Sequence, residues 1–270
     1  MRYFFHIGYN GSNYRGWQRQ KGVVSIQQVL EENLYQVMKI PITCIGCGRT
    51  DAMVHASQYF FHIDVETVWK FDLLARLNKM LPRDIAVFDI IKVEYNVHAQ
   101  FDAISRTYDY FIHTYKDPFL NELSSLYLEK NLNLSTMQKA ADLLKLYNDY
   151  KVLCLTPDKH TTTICNITSA QLFSDKKGDK IRFQISSNRF LKAMVRILVR
   201  KLLDVGTGKL SVAEFENILI TQKSPSSNRQ AFPQGLYLSK VVYPFLDIPP
   251  RTEFSAFHNN DVKDAWLNVY

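Results

Sequence analysis

An α+β fold is predicted for this chain of 270 residues, with two similar α/β halves whose sheets are mainly antiparallel. Three observations predict it. Short runs rich in aromatic and β-branched residues are bounded by Gly, Asn or Pro, as strands are. Between them lie apolar residues at helical spacing behind Ser-x-x-Gln or Ser-x-x-Glu signatures. The order strand, helix, strand, strand, helix, strand in the first hundred residues is echoed in the second half. The halves divide as 1–100 and 101–245, which suggests an internal duplication with a cleft between them, and 246–270 form a tail with no place in the pattern.

Taken in order, residues 2–9 read as an aromatic strand, and Asn10-Gly-Ser-Asn-Tyr-Arg-Gly16 as a polar loop too rich in Gly and Asn to be core. Ser25 and Gln28 form a capping-box signature, and Ile26, Val29, Leu30, Leu34 and Val37 then follow a helical period to about residue 39. Ile42 to Cys47 reads as a strand, and Tyr59 to Val65 as another, so Gly48–Ala56 is a loop between strands. Leu73, Leu74, Leu77, Met80 and Leu81 predict a helix stopped by Pro82, with strands at about 85–95 and 106–114. In the second half a helix is expected from about Ser135 with Gln138 closing a capping box, then a hairpin at 164–173 and 180–187. A long helix is expected from Arg189 to Asp204, ended by Gly206. A shorter one capped by Ser211 and Glu214 and a last strand over 235–243 complete the pattern.

Composition narrows the function. With 33 Lys+Arg against 26 Asp+Glu the formal charge is +7, which favours a polyanionic partner through phosphate neutralisation. The 15 Tyr and 17 Phe supply flat surfaces on which bases can stack. The first residues lack the features of a signal peptide and no apolar run reaches the ~18 residues of a membrane span, so a cytoplasmic protein with no membrane association is expected. Cys44, Cys47, Cys154 and Cys165 have the wrong spacing for a zinc site and read as four buried, reduced thiols; no metal site is expected. Gly206-Thr-Gly-Lys209 fails as a phosphate loop, because Leu210 follows the lysine where Ser or Thr is required, and reads as a helix cap and turn.

Chemistry concentrates in Gly48-Arg49-Thr50-Asp51-Ala52-Met53-Val54-His55-Ala56. This segment resembles the G-R-T-D-A-G-V-H-A signature of the tRNA pseudouridine synthase A family. Five further segments resemble the family's others, in the same order: Tyr9–Gln18, Phe101–Tyr110, Phe190–Arg196, Val205–Ser211 and Gly235–Leu238. The resemblance spans about residues 1–245. It implies a pseudouridine synthase fold with a central basic cleft, a homodimer, and a tRNA partner modified at uridines of the anticodon stem-loop. It also implies an isomerase without small-molecule cofactor: the N-glycosidic bond breaks, the base turns, and a C–C bond closes at the same sugar carbon.

Under that resemblance Asp51 is the catalytic carboxylate, acting either as nucleophile at the sugar carbon or as the base that removes a sugar proton. Either role needs its anion, and Arg196 is implied as the guanidinium that favours it; by itself Arg196 reads equally as a solvated helix arginine, although Met194, Val195, Leu198 and Leu202 set its helix in the core. Tyr108 is implied as the ring that stacks on the flipped uracil, against a plain packing role. It shares a strand face with Tyr110, so that one can stack while the other packs. Arg49 is implied as the side chain filling the space of the flipped nucleotide, against a simple phosphate contact. His55 is read as a loop-fixing hydrogen-bond group, since no second ligand lies at metal spacing.

Three departures from the family pattern stand out. Met53 replaces the usual Gly, a strained choice if that position takes positive φ. Lys192-Ala193 replaces a His-rich pair, and 226–233 diverges from the usual small-residue stretch. They leave two alternatives: a diverged paralogue acting on another RNA, or an RNA-binding or folding protein with little turnover.

Overall fold

A computed structural model describes residues 1–129, 132–224, 228–251 and 267–269. The chain gathers into two compact units: Met1–Arg106 with residues 237–251, and the described residues of Thr107–Leu236 with 267–269. Each is α+β with mainly antiparallel strand pairing.

In the first unit β1 (Arg2–Tyr9) is central, pairing antiparallel with β3 (His55–Asp64) on one side and β4 (Ile85–Val93) on the other. β9 (Leu236–Val242) adds to the far side of β3 in parallel, through His55↔Tyr237 and Ala56↔Leu238. Phe4, Phe5, Ile7, Tyr59, Phe60, Phe61 and Ile63 are all buried, so β1 and β3 are covered on both faces and read as continuous apolar runs instead of alternating ones. Helices α1 (Ile26–Met38) and α2 (Leu73–Met80) bury Ile26, Leu30, Leu34, Leu73 and Leu77.

Local signals placed these elements to within a few residues, and the differences have physical causes. Ser25 does cap α1, accepting from the Gln28 N–H at 3.3 Å, but the box does not close, because the Gln28 amide turns to Glu32 at 2.8 Å. The strand expected over 42–47 shrinks to β2 (Ile45–Gly46). Residues just before it bond to α1 instead of a strand: the Cys44 N–H donates to Glu31 Oε1 and its carbonyl accepts from the Gln27 amide, both at 3.0 Å. All four cysteines are free and buried, and burial pushes the thiols of Cys44, Cys47 and Cys165 up, the latter two to about 11.

In the second unit β5 (Ser105–His113) lies beside β8 (Lys180–Ser187), which forms a hairpin with β7 (Ile167–Ser174). The short β6 (Ser125–Leu126) pairs parallel to β5, and β10 (Leu267–Asn268) antiparallel to β7. The hairpin starts at Ile167, later than expected, because residues just before it close a different loop: Tyr150 N–H donates to Thr163 O and Cys165 N–H to Asn148 O. Helix α3 (Leu134–Leu143) is capped by Asn133, not by Ser135. Gln138 completes no capping box. Its side chain clips α3 to β7 instead, donating to Ala170 O at 3.2 Å and accepting from the Leu172 N–H at 2.8 Å.

Helix α4 (Met194–Gly206) starts five residues after Arg189, since Ala193 takes φ +60° and breaks the run. Gly206 is its last residue and not the left-handed cap. A Cβ there would sit 2.5 Å from Met137 Sδ, so this glycine permits close approach of α3, while Gly208 at φ +73° makes the turn. That turn and the Thr207 cap bear out the rejection of a phosphate loop. Helix α5 (Val212–Thr221) has the full Ser211–Glu214 capping box.

His62 on β3 makes the first unit acid-sensitive. Its ring is fully buried against Phe4, Nδ1 accepts from the Ala99 N–H at 3.2 Å, and the protonated Nε2 is buried with no partner among the described residues. A second proton must therefore displace the Ala99 bond. Burial above all, then the charge of Arg2, pushes His62 down to about 4. The unfolded ring titrates near ~6.5, so the folded pKa lies below the unfolded one. The stability this confers is present above about 6.5 and is lost as pH falls towards about 4. Urea unfolding at pH 7 and at pH 4.5 is expected to differ by on the order of 2 kcal/mol from this ring, and His62→Phe should flatten that dependence. An unchanged slope in the variant removes His62 as its cause.

Candidate active site

Asp51 lies on the loop that leaves β2 and enters β3 at His55, so the expected loop is two residues shorter at its end. Its neighbours point in opposite senses. Thr50 is buried and shares a 2.8 Å hydrogen bond with the Tyr9 hydroxyl, Arg49 is exposed, and Asp51 is half-buried between them. The Val54 N–H donates to Asp51 O at 3.2 Å and closes a turn, in which Met53 takes φ +63°. At the loop's entrance Tyr59 donates its hydroxyl to Gly48 O at 2.6 Å. At its exit His55 is buried, stacked on Tyr237 at 4.5 Å, with Nδ1 accepting from the Gly11 N–H at 3.0 Å. His55 therefore fixes the loop, as read from the sequence.

The segment 10–16, expected to be a polar loop outside the core, forms with Trp17 part of the floor of this loop. Gly11, Tyr14, Gly16 and Trp17 are buried. Trp17 N–H donates to Thr50 O at 3.2 Å and Met53 N–H to Tyr14 O at 3.1 Å. A Cβ on Gly11 would lie 2.0 Å from Val54 O, and one on Gly16 2.3 Å from Thr50 O, so only glycine lets the two backbones meet. The floor is itself anchored: Asp84 accepts from the Tyr14 hydroxyl at 2.6 Å and its carbonyl from the Asn10 N–H at 2.8 Å. Gly11, Tyr14, Gly16, Thr50 and Tyr237 thus support the site without having been singled out. The signal for them was membership of the segments Tyr9–Gln18, Gly48–Ala56 and Gly235–Leu238, which carried the resemblance as wholes.

Tyr108 and Arg196 lie in the second unit. Tyr108 is half-buried on β5 with its ring edge-on to Phe190 at 5.1 Å. Tyr110, two residues on, is fully buried, donates to Phe232 O at 2.7 Å and shares a 2.9 Å hydrogen bond with Ser125 Oγ. Burial pushes its hydroxyl pKa well up, so of the two tyrosines on that face it is the packing one. Arg196 sits half-buried in the first turn of α4, where its Nε donates to Ala231 O at 2.8 Å and its carbonyl accepts from the Ala231 N–H at 2.9 Å. This two-way bond fixes the guanidinium plane against the 228–232 segment, so Arg196 is no freely solvated helix arginine. Residues 226 and 227 of the divergent stretch lie outside the described residues.

Among the described residues no three of His, Cys, Asp and Glu gather to hold a metal ion, and no helix is long and apolar enough to cross a membrane. The first unit offers a half-buried carboxylate on a braced turn beside an exposed arginine. The second offers a partly open tyrosine ring and a fixed guanidinium.

Residues 140–244 match the model of a family described as tRNA pseudouridine synthase, and the chain belongs to that family. It is similar to proteins named tRNA pseudouridine synthase A. That of Porphyromonas gingivalis is 39% identical over 246 residues, covering 90% of this chain and 97% of the relative. That of Parabacteroides distasonis is 39% identical over 245 residues, covering 90% and 96%. A cyanobacterial relative, from Picosynechococcus, is 35% identical over 253 residues, covering 93% and 92%.

Proposed function

We propose that this protein isomerises uridine to pseudouridine in the anticodon stem-loop of tRNA, with Asp51 as the catalytic carboxylate. The observation that carries the reading is the setting of Asp51: a half-buried carboxylate on a turn pinned at Thr50, Val54 and His55, within a chain alike over nearly its whole length to tRNA pseudouridine synthases A. The reaction is a rearrangement. The bond from the sugar carbon to nitrogen breaks, one to carbon forms, and the proton displaced from the base carbon is balanced by one gained at the freed nitrogen.

Each of the other assigned residues has a role matched to its setting. Arg49, exposed beside the carboxylate, fills the place of the flipped nucleotide, and this offsets an unstacking cost of a few kcal/mol. Tyr108 presents its ring to the uracil, and Phe190 holds it at a fixed angle. Arg196, oriented by Ala231, is the guanidinium that favours the carboxylate anion. A cytoplasmic homodimer with a basic cleft for the RNA belongs to the same reading.

Unmodified tRNA transcripts incubated with the protein should gain pseudouridine in the anticodon arm, mapped by chemical modification and sequencing. No product on any tRNA would sink the reading. Product on another RNA and not on the anticodon arm would favour a re-aimed paralogue, for which Met53, Lys192-Ala193 and the divergent 226–233 stretch are the motivating features.

A further inference from the structure

Met53 has no structural explanation in the turn that carries it. Its backbone is left-handed, at φ +63°. For a side chain other than Gly, Asn or Asp this costs about 1–2 kcal/mol. Met53 is 37% exposed, whereas its neighbour Val54 is 1% exposed, so a good part of its side chain is open to a ligand. The turn does not require this side chain: the bonds from Met53 N–H to Tyr14 O and from Val54 N–H to Asp51 O use only main-chain atoms, which a glycine supplies equally well.

The backbone of Met53 is nevertheless fixed. Its own N–H bonds to Tyr14 O and the next residue's N–H to Asp51 O, which holds this exposed side chain's origin two residues from Asp51. A strained residue at such a place is retained for what its side chain touches. A thioether is unbranched, polarisable and suited to the face of an aromatic ring, with little preference for the pattern of donors and acceptors on its edge.

We propose that Met53 is a substrate-contact residue, resting its thioether on a nucleobase of the bound RNA, at or beside the target uridine. This rests on the function proposed above and adds a specificity-determining group to it. Because the contact is apolar and made alike before and during reaction, it lowers KM and leaves kcat nearly unchanged.

The test compares wild type with Met53→Gly, Met53→Asn and Met53→Leu, using an unmodified tRNA transcript, with kcat, KM, binding affinity and Tm measured for each. Gly and Asn both relieve the left-handed backbone, so Tm should rise or hold, while KM and Kd weaken about five- to tenfold, as losing one apolar contact of roughly 1 kcal/mol predicts. Leu, which keeps apolar reach, should retain most of the affinity. Gly and Asn variants with wild-type KM and Kd would overturn the proposal, as would a fall in kcat matched by a fall in Tm, which marks a structural role. If wild type binds tRNA but converts no uridine, the proposed function fails while Met53 is still judged on binding: unchanged Kd in the Gly and Asn variants overturns the contact, and weakened Kd upholds it.

Discussion

Asp51→Asn is expected to stop isomerisation while leaving the protein folded and able to bind tRNA. Asparagine matches the carboxylate in size but can neither attack the sugar carbon nor take a proton from it. Removing such a group costs at least about ten-thousand-fold in turnover. The change keeps the Asp51 main-chain carbonyl and the Thr50–Tyr9 hydrogen bond that close the turn, so the turn is expected to survive it. RNA affinity should hold or improve, since one negative charge facing phosphates is lost. Single-turnover kinetics with saturating enzyme separate these effects. A rate above about one per cent of wild type would remove Asp51 from the chemistry.

Gly11→Ala should be nearly as damaging from a residue that touches no substrate in the proposed reading. The added Cβ lies 2.0 Å from Val54 O and 2.7 Å from Val54 C, and both are backbone atoms that have no rotamer to change. Relief requires the 10–16 segment or the Asp51 turn to move by more than about 1 Å, a misplacement that can cost on the order of a hundredfold in rate. The same shift breaks the Gly11–His55 bond, so a stability loss of about 1–3 kcal/mol is also expected. Gly22→Ala is the control. That glycine also has positive φ, +79°, but nothing lies within 4 Å of its would-be Cβ, so backbone strain of about 1 kcal/mol and an unaltered kcat are expected. A Gly11→Ala enzyme with normal kcat would show that the floor of the turn is not needed for its geometry.

What was legible in the sequence followed the range of the forces involved. The Ser211–Glu214 capping box closes as its spacing predicts, because both partners lie within one helical turn. Gln28 and Gln138 carry the same signature, yet their amides leave for Glu32 and for β7, since a glutamine is long enough to prefer other partners. The strand expected over 42–47 was lost to Glu31 and Gln27 on α1, again a contact made after folding. At the candidate site, the motif placed Asp51 and Arg49 on one loop and read His55 as its fastener. It did not reveal the floor of residues 10–17, because a glycine needed for close approach looks the same in sequence as one needed for a loose turn. Two of the residues noted as departures, Met53 and Ala193, sit at left-handed φ. That conformation comes from the surrounding chain, which a single sequence does not display.

The exit of the Asp51 turn has a consequence for synthesis. His55 is locked by Tyr237, and β3 gains its parallel neighbour only through residues 237–238, over 180 positions downstream. A nascent chain therefore carries its carboxylate early and finishes the setting of that carboxylate almost last. Until that strand has emerged, the turn can close on Tyr9, Gly11, Tyr14 and Trp17, but His55 at its exit lacks the ring it stacks on.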